Sequence, residues 1–126
     1  MPAGEYLSEA DRSSLDLVMR KAEQTCRAEF SIFVGRAQGD PRAFATSLHN
    51  SMVAPARSIL IMVDPDARSV EVVTGGFVRE TLTDAQVELA TATMAEAFAD
   101  GDLVGGLRHG IRQLGEHART ARPRKA

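Results

Sequence analysis

A chain of 126 residues with 44% hydrophobic and 25% charged residues has enough apolar material for one packed core without disulfide staples. Seventeen acidic against fifteen basic side chains leave a formal charge of −2, which argues against a general nucleic-acid binder, since such proteins carry a strong positive excess. One cysteine, Cys26, excludes an internal disulfide framework and a Cys-His zinc site. No leader pattern opens the chain and no apolar run approaches the ~18 residues that cross a bilayer, so the expected setting is cytoplasmic, with no membrane span. Thirteen arginines against two lysines in an alanine-rich background fit a GC-rich genome such as an actinobacterium's.

Ser8 and Asp11 form an S-x-x-D capping pair, and Leu15, Val18, Met19, Ala22 and Cys26 recur behind it at helical spacing. Cys26 closes that stripe and is read as a small core hydrophobe. Phe30, Ile32 and Val34 alternate with Ser31, Phe33 and Gly35 as a strand, and Phe33 implies cover on the second face as well. Asp40-Pro41 opens a helix carrying Phe44, Leu48 and Met52, which Pro55 is expected to end.

The unbroken run Ile59 to Val63 has the pattern of a strand buried on both faces. The turn formers of 64–68 and the alternating Val70 and Val72 make it the first arm of an antiparallel hairpin. Thr83 and Gln86 form a second capping box before Val87, Ala90, Met94 and Phe98. Asp100-Gly101-Asp102 then breaks the chain ahead of a last helix on Leu107, Ile111 and Leu114. In that helix Gly105, Gly106 and Gly110 are expected to permit close backbone packing.

The predicted order is α-β-α-β-β-α-α, a three-layer α/β/α sandwich on a small mixed sheet. Residues 1–118 form one domain in this reading, and 119–126 a basic, flexible C-terminal tail.

Chemistry is sparse. Gly75-Gly76 follows a strand but matches no phosphate-loop pattern, so the pair is read as allowing a sharp turn. His49, His109 and His117 sit on predicted helices outside any catalytic motif, with His49 nearest to the sheet's loops. Asp64 and Asp66 suit a turn, Asp84 a first helical turn, and Asp100 or Asp102 a cap.

Several segments in order resemble the TPM-domain family of bacterial and thylakoid-lumen phosphatase-like domains. They are Leu7-Ser8-Glu9-Ala10-Asp11, the strand from Ala28 to Val34, the hairpin from Ile59 to Val73, Leu82-Thr83-Asp84-Ala85, and the run from Phe98 through Asp100-Gly101-Asp102 to Leu107. The resemblance implies helices around a mixed sheet, bound calcium or magnesium, and acid phosphatase activity on phosphomonoesters. It also implies an Asp-Asn-Gly triplet before the buried strand and a Gly-Tyr-Gly-Leu-Glu segment after the hairpin.

Here those positions read Ala56-Arg57-Ser58 and Gly75-Gly76-Phe77-Val78-Arg79. Only Glu80 and Asp84, with Asp66, remain as metal donors, so the implied metal site is degenerate. The expected function is therefore a non-catalytic interaction or regulatory domain without cofactor. Its binding surface would comprise Arg57, Gly75, Gly76, Phe77 and Arg79, and its partner would be an unknown protein or an anionic small molecule.

Overall fold

A computed structural model describes residues 6–121, and its elements run in the order α-β-α-β-β-α-α. Helix α1 spans Glu9–Cys26 and starts at the predicted box: Ser8 Oγ accepts from the Asp11 N–H at 3.0 Å, and Asp11 Oδ2 accepts from the Ser8 N–H at 3.1 Å. Strand β1 (Glu29–Val34) leads into α2 (Pro41–Asn50), whose first turn is capped by Asp40. This helix stops at Asn50, five residues before the proline expected to end it. Pro55 instead opens a single 3-10 turn, Pro55–Arg57, where its fixed φ suits a first position.

Strands β2 (Ser58–Asp64) and β3 (Ser69–Thr74) follow, then α3 (Asp84–Ala99) and α4 (Leu103–Ala121). Thr83 and Gln86 close the second capping box around the start of α3. Helix α4 continues through the first residues assigned from sequence to a basic tail; Arg119 lies within it, 3.5 Å from Glu116. The rest of that tail, 122–126, lies outside the described residues.

The sheet order is β1-β2-β3, with β2 parallel to β1 and antiparallel to β3. Ile59, Ile61, Val63 and Val72 point into a core shared with α1, α3 and α4, while Leu60, Met62 and Val73 meet Ala45, Phe44 and Leu48 of α2. The three layers are therefore α2, the sheet, and the α1/α3/α4 group. Two covered faces explain why β2 reads as an unbroken apolar run and why Val72 and Val73 are both apolar. Phe33 stands on the α2 face, edge-on to Phe44 at a centroid distance of 5.5 Å.

Glycines let α4 approach its neighbours. A Cβ at Gly106 would strike Phe98 and Ala97, and one at Gly110 would strike Met94, both on α3. Gly115 faces Ala22 of α1, where an added Cβ would lie 3.1 Å away. Gly105 differs from the packing role expected for it. Its space is filled by the Asp102 carboxylate, which caps α4 by accepting the Gly105 N–H at 2.9 Å.

Both sheet edges are guarded by side chains. On β1, the Phe30 N–H donates to Glu23 at 2.8 Å. On β3, Arg42 donates to the Val72 carbonyl at 2.8 Å and Arg79 donates to the Thr74 carbonyl. Occupied edge groups deny a template to another strand. Among the described residues no helix is long and apolar enough to cross a membrane.

Candidate functional site

The residues singled out from sequence meet at the end of the sheet where β2 begins and β3 finishes. Gly75 donates its N–H to the Ser58 carbonyl and Phe77 donates to Ala56, both at 3.0 Å, so the segment after β3 is laced to the Pro55–Arg57 turn. A side chain at Gly75 would collide with the carbonyl oxygens of Pro55 and Ala56. The glycine is required by that close approach, and neither Gly75 nor Gly76 has a positive φ. The chain does turn here as expected, with the Arg79 N–H donating to the Gly75 carbonyl at 3.0 Å, and the close approach adds a steric reason for the glycine. A 3-10 turn, Val78–Glu80, then leads towards α3, with Val78 buried as its anchor.

This frame presents an unusual surface. Phe77 is 44% exposed and Val53, in the loop after α2, is fully exposed. Arg57 and Arg79 are exposed as well, and among the described residues neither forms an ion pair with a carboxylate. A cleft of about 370 Å³ beside these loops is lined by Arg42, Thr46, His49, Asn50, Thr74, Gly75, Gly76 and Arg79, among others.

His49 lies 5% exposed in the wall of this cleft, and its Nε2 donates to the Ser58 carbonyl at 2.9 Å. The ring ties α2 to the start of β2. Ser58, also buried, donates its hydroxyl to the Ala54 carbonyl at 2.6 Å. His109 is exposed on α4, and Cys26 is buried in the core as expected.

The carboxylates considered as metal donors are not gathered. Asp66 sits in the β2–β3 turn, where it accepts from the Tyr6 hydroxyl at 2.9 Å and lies 3.7 Å from Arg36. Glu80 follows the other end of β3, about 17 Å away at the rise of a six-residue strand. Asp84 starts α3 and lines a groove between that helix and β3. Among the described residues no three His, Cys, Asp or Glu side chains come together as a metal site would require.

The opposite end of the sheet holds a carboxylate that the turn composition disguised. Asp64 is 4% exposed; it accepts the Ala37 N–H at 2.9 Å and the Ala67 N–H at 3.1 Å, joining the β1–α2 loop to the hairpin. The bond from Ala37, with lesser help from Ala67, holds its carboxyl below the ordinary aspartate value. A lowered folded pKa means that the stabilisation is present above the unfolded pKa and disappears as pH falls through the folded one. Asp64→Asn is therefore expected to cost about 1 kcal/mol or more at pH 7. That deficit should shrink as pH falls from ~5 through the folded pKa. Urea midpoints of both proteins at pH 7 and pH 3 check this, and a deficit independent of pH would contradict it.

Arg42 and Thr46 belong to the site although sequence reading passed over them. The signal was there for Arg42: a cation in a first helical turn opposes the helix dipole, so helix formation gives no reason for it.

The sequence profile of Domain of unknown function (DUF5130) matches residues 3–115. The chain belongs to the DUF5130 family. This overturns the TPM resemblance, for no TPM-domain family is detected. The residues that carried it are caps, strand cores and packing glycines, such as Ser8 and Asp11, Thr83, Asp102 and Gly106; they serve the order of elements and do not discriminate between families. The argument that a metal site has degenerated falls with it, and Arg57 and Arg79 have to be understood from their surroundings.

Two relatives from Mycobacterium tuberculosis, Uncharacterized protein Rv2468c of strain H37Rv and Uncharacterized protein MT2543 of strain CDC 1551, are each 31% identical over 105 residues. The alignment covers 83% of this chain and 63% of each relative, so this DUF5130 chain spans less than two thirds of their length.

Among solved structures, the BA42 protein of the psychrophilic bacterium Bizionia argentinensis has a TM-score of 0.84 at 16% identity, covering 95% of this chain and 86% of that one. The N-terminal domain of the cg2496 protein from Corynebacterium glutamicum has a TM-score of 0.73 at 15% identity, covering 87% and 72%. An N-terminal domain from P. gingivalis gives 0.74 at 19%, covering 88% and 75%. Likeness at these identities concerns the fold alone.

Proposed function

We propose that this DUF5130 domain is a non-catalytic interaction module that binds an anionic partner at the end of the sheet carrying Arg57, Gly75, Gly76, Phe77 and Arg79. The observation that supports it is an exposed phenylalanine between arginines that have no acidic partner among the described residues, on loops held stiff by backbone hydrogen bonds. An aromatic side chain supplies apolar contact area and arginine supplies directional donors, the two residue kinds that most often anchor protein interfaces. Stiff loops lose little freedom on binding, which favours affinity.

The other polar groups that could do chemistry have structural duties. His49 holds β2, Asp64 holds two loops, and Asp66 holds Tyr6.

The test is a double substitution, Arg57→Glu with Phe77→Ala. Both side chains are exposed, so unfolding should be unchanged within about 0.5 kcal/mol. Capture of a partner identified with the unmodified domain should fall at least tenfold by titration. Equal capture by the folded double variant would refute the assignment of this surface.

A further inference from the structure

Register determines which groups of β3 face outward. Ser58 accepts the Gly75 N–H, so the Ser58–Gly75 pair and every second pair after it is hydrogen-bonded within the hairpin. The N–H and C=O groups of Val70, Val72 and Thr74 therefore point away from β2, along the open edge. Arg42 reaches the Val72 carbonyl from α2, and Arg79 reaches the Thr74 carbonyl from the turn after β3. Two residues of strand separate those carbonyls, about 6.8 Å. Between them on the same edge lies the outward N–H of Thr74.

Each guanidinium has five N–H donors and uses only a few here. Arg42 gives a donor to Val72 and shares a 3.3 Å contact with Glu71; Arg79 gives one to Thr74. Arg42, Thr74 and Arg79 all line the 370 Å³ cleft, whose lining adds Thr46 and Asn50 and contains no carboxylate. An adjoining groove, which Arg42, Thr74 and Arg79 also border, carries the carboxylates Glu71, Asp84 and Glu88, so the anion is placed on the cleft side of the two arginines.

We infer that this cleft is a binding site for a phosphoryl oxyanion, held between Arg42 and Arg79 with the Thr74 N–H as a third donor. The inference deepens the interaction reading above and rests on it for its biological sense. Several facts select the occupant. A row of donors between two cations suits a group that only accepts hydrogen bonds. The carbonyls that hold the two guanidinium groups are two strand residues apart, about 6.8 Å, a spacing that one phosphoryl group can bridge. A peptide strand is disfavoured, because pairing with β3 would require the two carbonyls that the arginines already occupy. Three converging donors match the three terminal oxygens of a phosphate better than the two of a carboxylate. A Cβ at Gly76 would meet only Arg79 Nη2, at 4.0 Å, so the glycine leaves the approach to that guanidinium uncrowded.

The experiment is a titration of the isotopically labelled domain with inorganic phosphate, phosphoserine and acetate at constant ionic strength, followed by amide chemical shifts. Phosphate should move the Thr74, Gly75 and Gly76 amides saturably. Arg42→Gln and Arg79→Gln should each weaken that response at least tenfold, while Arg36→Gln, at the other end of the sheet, should leave it unchanged. Tighter binding of phosphoserine than phosphate would place the group on a larger molecule, and the reverse order would identify free phosphate; both support the site. Should a glutamine variant fail to fold, the matching lysine variant replaces it, with loss of the bidentate fork as the expected weakening.

No saturable shift at Thr74, a shift that survives both glutamine substitutions, or acetate binding as tightly as phosphate would each overturn the inference. Failure here with continued sensitivity of partner capture to Arg57→Glu/Phe77→Ala would leave the interaction reading intact and reduce Arg42 and Arg79 to guards of the strand edge.

Discussion

Gly75→Ala is expected to destabilise the domain by roughly 3 kcal/mol, a large value for a single added methyl group. The added Cβ would meet the carbonyl oxygens of Pro55 and Ala56, which are backbone atoms and cannot turn aside as a side chain can. Relief requires the Pro55–Arg57 turn to move, and that turn is bonded to the segment after β3 through Ser58 and Ala56. Gly76→Ala is the matched control: its nearest neighbour would be Arg79 Nη2 at 4.0 Å, and its φ is not positive. Alanine there should be neutral or stabilising by up to about 1 kcal/mol, since it restricts the unfolded chain. Urea unfolding of the two variants separates the cases, and similar losses for both would contradict the steric account. Because the displaced turn carries Arg57, Gly75→Ala should also weaken binding at this surface in the fraction that remains folded.

What could be read from sequence follows from how local each cause is. Capping boxes at Ser8 and Thr83 act within four residues, and both form as predicted. The doubly covered β2 is visible because burial on two faces removes every polar residue from Ile59 to Val63. Gly106 and Gly110 serve close packing as expected, whereas Gly105 differs because its neighbour is its own capping residue, Asp102.

The candidate site was legible only in part. Arg57, Gly75, Phe77 and Arg79 come from two segments that lie next to each other in sequence order of strands, so the hairpin register brings them together. Arg42 and Thr46 come from the far side of the sheet, and their presence depends on how α2 lies across it. Asp64 does serve the turn, as its composition suggests, by accepting from Ala67, but its second partner, Ala37, is 27 residues away in sequence and leaves no local signal. Asp66 and Glu80 fail as joint metal donors for the same reason in reverse: nearness in sequence hid a strand's length between them.

The second large effect lies far from that surface. Ile111→Ala should cost about 3–4 kcal/mol, within the range for truncating fully buried aliphatic side chains. Ile111 has no exposed surface and belongs to the cluster that α4 shares with Leu15, Met94 and Leu107. Glycines at 106, 110 and 115 already bring the α4 backbone against α3 and α1, so little slack remains for the neighbours to fill the lost volume. Against a total stability of about 5–15 kcal/mol, the loss should lower the melting temperature by roughly 10 °C or more. Leu17→Ala, on the exposed side of α1, should change stability by less than about 0.5 kcal/mol. A small effect at Ile111 would mean that α4 can collapse onto the vacancy, contrary to its close contacts. The two variants also separate stability from function. Ile111 does not line the cleft between Arg42 and Arg79, so below its lowered melting temperature Ile111→Ala should bind phosphate as the unmodified domain does. A domain that lost both together would show the helical layer coupled to the sheet end, with Val78, buried in the same cluster as Ile111, as the place where the two meet.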